Sequence, residues 1–208
     1  MVMRHCAVYF FGLIFSMTGF VVYADDTTDV VLTTDKVVEE INHNIALNKL
    51  ESYKISYTCP DYPEEGSIIF YYHDHYLDKI EIDRAEGEEG HSFEEYFFAK
   101  NDIIFSKEHH SNFVDVTDSQ GNHIISYDET EESTTYFQHG APYNCESTFI
   151  TVENTPGKDH PRVMHEDHTV RCFLPGDFHG HINTLKNIFK NKDQGKVEFD
   201  CLWDLYKY

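Results

Sequence analysis

Cations are scarce in this sequence. Its 208 residues carry 16 Lys and Arg against 37 Asp and Glu, a formal net charge of −21 with histidine neutral. A surface of that sign repels nucleic acid and anionic membrane. Neither is expected as a partner, and a basic protein or a cation is favoured instead. Catalytic signatures are missing too: no GxSxG, HExxH, P-loop or GxGxxG pattern occurs. Ser, His and Asp abound, but without an order in space they make no triad. CxxC spacing is absent, which argues against a thiolate metal site. There is no internal repeat and no low-complexity linker, so one domain is the simplest expectation.

Long apolar runs are missing beyond the first 24 residues. Inside them, Arg4 supplies a positive start and residues 8–22 are apolar. Val22-Tyr23-Ala24 then precedes the polar Asp25-Asp26-Thr27-Thr28. This pattern predicts a secretory leader cleaved after Ala24, against the alternative of an uncleaved anchor. Residues 25–208 then form an exported protein, periplasmic or secreted, with no membrane attachment after cleavage. No cysteine follows the cleavage point directly, so a lipid anchor is not indicated.

Of five cysteines, Cys6 lies in the leader, and Cys59, Cys145, Cys172 and Cys201 remain. An even count in an exported chain predicts two disulfides. Three pairings are possible. Cys59–Cys145 with Cys172–Cys201 is preferred, because each bond then joins segments assigned to one part of the fold.

What is present organises the chain around residues 66–107. Residues 67–72 are β-branched and aromatic, and His73-Asp74-His75 interrupts them as a turn. Ile80 and Ile82 then alternate with Lys79, Glu81 and Asp83, the period-two pattern of a strand with one wet face. A charged loop at 86–90 leads to a strand at 92–98, a turn at 99–102 and a strand from 103. These are two successive hairpins of an antiparallel meander. Residues 53–59 predict a strand ended by Pro60. Further strands are expected at 113–116, 123–127, 134–137, 147–152 and 168–174, with an acidic loop at 128–132 and a long surface loop at 154–167.

Two helices flank this region. One is expected at 35–50, with Val38, Ile41 and Ile45 on one face. The other opens at Asp177, with Phe178, Ile182, Leu185, Ile188 and Phe189 as its stripe. The tail, with Phe199, Leu202 and the single Trp203, is expected to dock on the core. The fold class expected is α+β, an antiparallel β-meander sheet with an N-terminal and a C-terminal helix packed on it.

Tyr57-Thr58-Cys59 after a leader, followed by a β-rich body, resembles the membrane-bound or periplasmic C-type lysozyme inhibitors over those three residues. The chain departs from them in its length, its two helices and its lack of an SGxxY segment. None of that family's sites is carried over.

Histidine is abundant, with 14 residues, and sets occur at His73/His75, His109/His110, His160/His165/His168 and His179/His181. On a strand, residues two apart share a face, so His73 and His75 form a candidate Zn²⁺ or Cu²⁺ pair. On a helix, His179 and His181 diverge. Protonating the histidines near pH ~6.5 would relieve the self-repulsion of the acidic chain. Glu86, Glu88 and Glu89, and Glu129, Glu131 and Glu132, are candidate contacts to a basic partner, although most charge runs are simply solvated. Asp115, Asp118 and Asn122 lack the later glutamate of a calcium loop and predict a β-turn.

The expected function is therefore an exported, non-enzymatic protein-binding protein, inhibitor- or immunity-like, acting on a basic partner and needing no cofactor. A histidine-rich periplasmic metal-binding protein is the alternative. A hydrolase with an unrecognised site is the third reading.

Overall fold

Three two-residue hairpin turns set the frame. Asp74 and His75, Lys100 and Asn101, and His139 and Gly140 all have positive φ, between 45° and 77°. Consecutive positive-φ residues match the right-handed twist of the strands they join. The computed structural model describes residues 26–60, 63–87, 90–154, 162–170, 174, 177–194 and 201. In chain order they form α1 (Asp26–Ala46), β1 (Glu51–Thr58), β2 (Glu64–His73), β3 (Tyr76–Glu86), β4 (Gly90–Ala99), β5 (Asp102–Thr117), β6 (His123–Gln138), β7 (Ala141–Asn154), β8 (Arg162–Thr169) and α2 (Phe178–Lys190). A short 3-10 turn, Lys192–Gln194, follows α2. The eight strands make one sheet in sequence order, every pair antiparallel. The expected meander is thus present, with fewer and longer strands than the local pattern indicates: the stretches expected from 103 and at 113–116 join in β5, and those at 123–127 and 134–137 join in β6.

The helices cover opposite faces. Successive residues of a strand point to opposite sides. Tyr96 of β4 packs in the cluster that holds Phe178, Ile182, Leu185 and Phe189 of α2, together with Ile68, Phe70, Ile80 and Ile82. Its neighbour Phe97 packs with Ile41 of α1 and Phe105 of β5. The α2 stripe is the one its periodicity predicts. Its first turn is capped by Asp177, whose Oδ1 accepts from the Gly180 N–H at 3.1 Å. Phe178 stacks on Phe137 at 5.3 Å and 8°. Leu185 is fully enclosed, a burial that contributes roughly 2 kcal/mol.

On the other face, α1 is held by polar ties as well as Val37, Val38 and Ile45. The Tyr136 hydroxyl donates to Asp35 Oδ1 at 2.9 Å. Lys79 is 3% exposed. Its Nζ donates to Asn42 Oδ1 at 3.1 Å and lies 2.7 Å from Glu81 and 2.5 Å from Glu95. The two acids neutralise an ammonium that would otherwise be costly to bury.

Several sequence expectations change. α1 begins at Asp26 and ends at Ala46, rather than spanning 35–50. The acidic stretch 128–132 is mid-strand in β6, because both neighbouring strands hydrogen-bond to it and the backbone ladder outweighs its low β-propensity. The expected loop at 154–167 gives way to β8 from Arg162, and β8 ends at Thr169 instead of running to 174.

The disulfide pairing also differs: Cys59 is bonded to Cys201, 142 residues away. A Cys59–Cys145 bond does not form. Cys59 follows β1 and Cys145 lies in β7, six strand spacings of about 4.8 Å apart along the sheet. That exceeds the reach of a disulfide. Cys145 is itself disulfide-bonded, and Cys172 lies outside the described residues.

Candidate functional site

The α2 face of the sheet changes character from apolar to polar between β3 and β7. Register shows how. One row pairs Ile82 with Glu94, Glu94 with Glu108, Glu108 with Ser133 and Ser133 with Ser147. The next row pairs Gly66 with Arg84, Arg84 with Ser92, Ser92 with His110 and His110 with Glu131. Cross-strand partners share a face, so these side chains share one side of the sheet although they come from six strands, β2 to β7.

The inner part of this patch is closed. Glu94 is 4% exposed and Arg84 is buried beside it. The Tyr96 hydroxyl donates to Glu94 Oε2 at 2.6 Å. Arg84 Nε donates to Ser92 Oγ at 2.8 Å, and its Nη2 lies 3.8 Å from Glu94 Oε1. Burial pushes the Glu94 carboxyl above its ordinary range, and the Glu108 charge opposite pushes the same way. The Tyr96 bond, Arg84 and His110 oppose that rise. His181 reaches this patch from α2, is 5% exposed, and meets Tyr96 edge-on at 6.0 Å. Burial pulls its pKa down to about 4.

The outer part is open. Glu108, His110, Glu131, Ser133, Thr135 and Ser147 line a cleft of about 520 Å³. His110 Nε2 lies 3.9 Å from Glu108 Oε2. The adjacent Glu108 carboxylate raises the imidazole pKa against the effect of burial. Ser147 donates to Glu131 Oε1 at 3.2 Å. No Lys or Arg among the described residues lines the cleft. It combines two carboxylates, hydroxyls that both donate and accept, and one titratable ring, a set suited to a cationic group.

The residues singled out in the sequence fare differently. Glu131 lies in the cleft, and Glu129 is on the same face two residues farther along β6. Glu132 points to the opposite face, where it faces His109 Nδ1 at 3.3 Å. The run 129–132 is therefore split by the strand rather than presented as one patch. Glu86 ends β3, while Glu88 and Glu89 lie outside the described residues.

The strand geometry assumed for His73 and His75 is not found. His73 closes β2 and pairs with Asp78 through Nδ1 at 2.5 Å, whereas His75 occupies the positive-φ turn. The two histidines therefore do not share a strand face, because the hairpin reverses between them. His179 is exposed and His181 is buried, so that pair does diverge on the helix. Asp118 accepts from the Gln120 and Asn122 N–H groups, which makes it a turn residue.

The sequence pattern did not single out Arg84, Glu94 or Glu108, and it placed His110 and His181 only in the pairs His109/His110 and His179/His181. One signal was available: in residues 92–98 the alternation sets Ser92 and Glu94 on the same face as Tyr96.

A second polar place lies at the β1–β2 end. Among the described residues, the one group of three metal-capable side chains within mutual reach is Cys59, Glu64 and Cys201. Glu64 is 4% exposed. Tyr57 is nearby, its phenol pushed up by burial and then by the Glu64 charge.

No protein-family model, curated protein or solved structure matches this chain. The geometry therefore carries the functional argument alone.

Proposed function

We propose that the protein is an exported, non-enzymatic binding protein, inhibitor- or immunity-like, that captures a basic partner by receiving one of its Lys or Arg side chains. The observation that supports this is the cleft beside α2, where Glu108 and Glu131 converge with His110, Ser133, Thr135 and Ser147 and no Lys or Arg among the described residues lines the walls. A guanidinium or ammonium entering there finds charge-assisted acceptors in a partly enclosed space. The chain's net charge of −21 draws such a partner in before contact. The leader pattern and the Cys59–Cys201 bond are in keeping with an oxidising compartment. No cofactor enters this reading.

The test is affinity capture on the immobilised mature, oxidised chain, with the source organism's own extract at low and moderate salt. The expected result is a stoichiometric basic protein that elutes as salt rises and is not retained by the Glu108→Gln/Glu131→Gln variant. Equal retention by that variant, or no basic protein retained at all, rules the reading out.

A further inference from the structure

The Glu64 carboxylate is buried beside the Tyr57 hydroxyl, and neither of its oxygens meets full hydrogen-bond geometry with a described residue. A carboxylate buried beside two bonded sulfurs is one member of a ligand set that only reduction of the disulfide would complete, since the closed bond leaves neither sulfur free for a metal. What surrounds it is specific. The Cys59 N–H donates to the Glu64 carbonyl at 2.8 Å, extending the β1–β2 ladder by one pair. The Cys59 sulfur, a Glu64 oxygen and the Cys201 sulfur all lie within 4.8 Å of one another. All three residues are buried.

We propose that Cys59, Cys201 and Glu64 form a redox-gated site for a soft divalent cation of the zinc class. The disulfide occupies both sulfurs and closes the site. A dithiol reductant opens it by delivering two electrons and two protons: the sulfur–sulfur bond breaks, two thiols form, and the reductant leaves as its own disulfide. The metal then binds both sulfurs as thiolates and one carboxylate oxygen, and the two thiol protons are released. Water completes the four ligands. Tetrahedral zinc, with bonds of about 2.3 Å to sulfur and about 2.1 Å to oxygen, holds its donors roughly 3.5–4 Å apart. The present spacing reaches that arrangement once the sulfurs separate. The site shares no residue with the cleft, so its test stands apart from the binding reading.

The probe is Co²⁺, titrated into the full mature chain before and after reduction with a phosphine or dithiol and followed by absorption. The reduced protein should take up one equivalent, with a thiolate-to-cobalt charge-transfer band and tetrahedral ligand-field absorption. The oxidised protein should show neither. Glu64→Gln should weaken uptake by about tenfold or more, and Cys59→Ser/Cys201→Ser should abolish the band. The second pair of thiols released around Cys145 is controlled by that double variant. Should it fail to fold, Glu64→Gln, which keeps the disulfide, decides alone. The proposal is overturned by a reduced wild type without the band, by a band that survives the double variant, or by an affinity that Glu64→Gln leaves unchanged.

Discussion

Glu94 and Glu108 are directly paired across β4 and β5, two carboxylates on one face of one sheet. They occupy different environments. Glu94 is sealed behind Tyr96 and Arg84, whereas Glu108 stands in the cleft wall beside His110. Burial and the facing charge therefore favour the protonated form of Glu94. The structure turns two adjacent acids into an inner neutral-leaning group and an outer acceptor.

This division predicts how Arg84 and Glu94 respond to change. Arg84→Met leaves the Glu94 charge without its buried cation and should cost about 3 kcal/mol at pH 7. Because the folded Glu94 pKa is raised, the folded state binds more protons than the unfolded chain above the ordinary carboxyl range. Stability from this group therefore falls as pH rises through that window and returns on acidification. Urea unfolding at pH 5 and pH 7 should show a smaller Arg84→Met penalty at pH 5, and Glu94→Gln should flatten the slope. An equal penalty at both values contradicts the assignment.

His181 predicts the opposite trend. Its folded pKa is lowered from 6.5 to about 4, so between those values the unfolded chain takes up a proton that the folded chain refuses. Stability should drop by about 3 kcal/mol as pH falls through that interval. His181→Phe, which keeps a ring against Tyr96, should remove this part of the acid sensitivity. The check is the urea midpoint against pH for both proteins. Identical curves would show that His181 is not the group responsible.

The Cys59–Cys201 bond closes a loop of 142 residues. Constraining so long a loop in the unfolded chain should stabilise the fold by about 5 kcal/mol. Cys59→Ala/Cys201→Ala should therefore lower the unfolding free energy by that order in equilibrium denaturation. A loss below about 1 kcal/mol would show that the bond adds little to the fold.

Lys79 joins α1 to the sheet, between Glu81, Glu95 and Asn42, with Phe97 under its ammonium at 4.8 Å. Lys79→Met leaves two carboxylates facing each other and should cost about 3 kcal/mol, or about 10 °C in melting temperature. Amide exchange should quicken first in α1. Protection of α1 unchanged from wild type would show that the helix is held by its apolar face alone.

The legible parts of this protein were those written in neighbouring residues. The α2 stripe and its Asp177 cap follow from a 3.6-residue period and a short side-chain acceptor. The Asp74-His75 turn follows from residues that break a β-branched run. The stretch 128–132 was misread because acidic and hydroxyl residues carry weak strand signals. They are held there by ladders to β5 and β7 that no local pattern reveals. His73 and His75 looked like a same-face pair only as long as the chain was taken to run straight through the turn.

By itself, then, the sequence determined the acidity, the two amphipathic helices, the hairpin turns and the meander, because each depends on residues a few positions apart. Tertiary structure alone decided that Cys59 meets Cys201, and that Arg84, Glu94, Glu108 and His110 share one face of the sheet beneath His181. Those juxtapositions depend on strand register accumulated over several hairpins and on where α2 returns to the sheet. A shift of one residue in any of those strands would turn the same side chains to the opposite face.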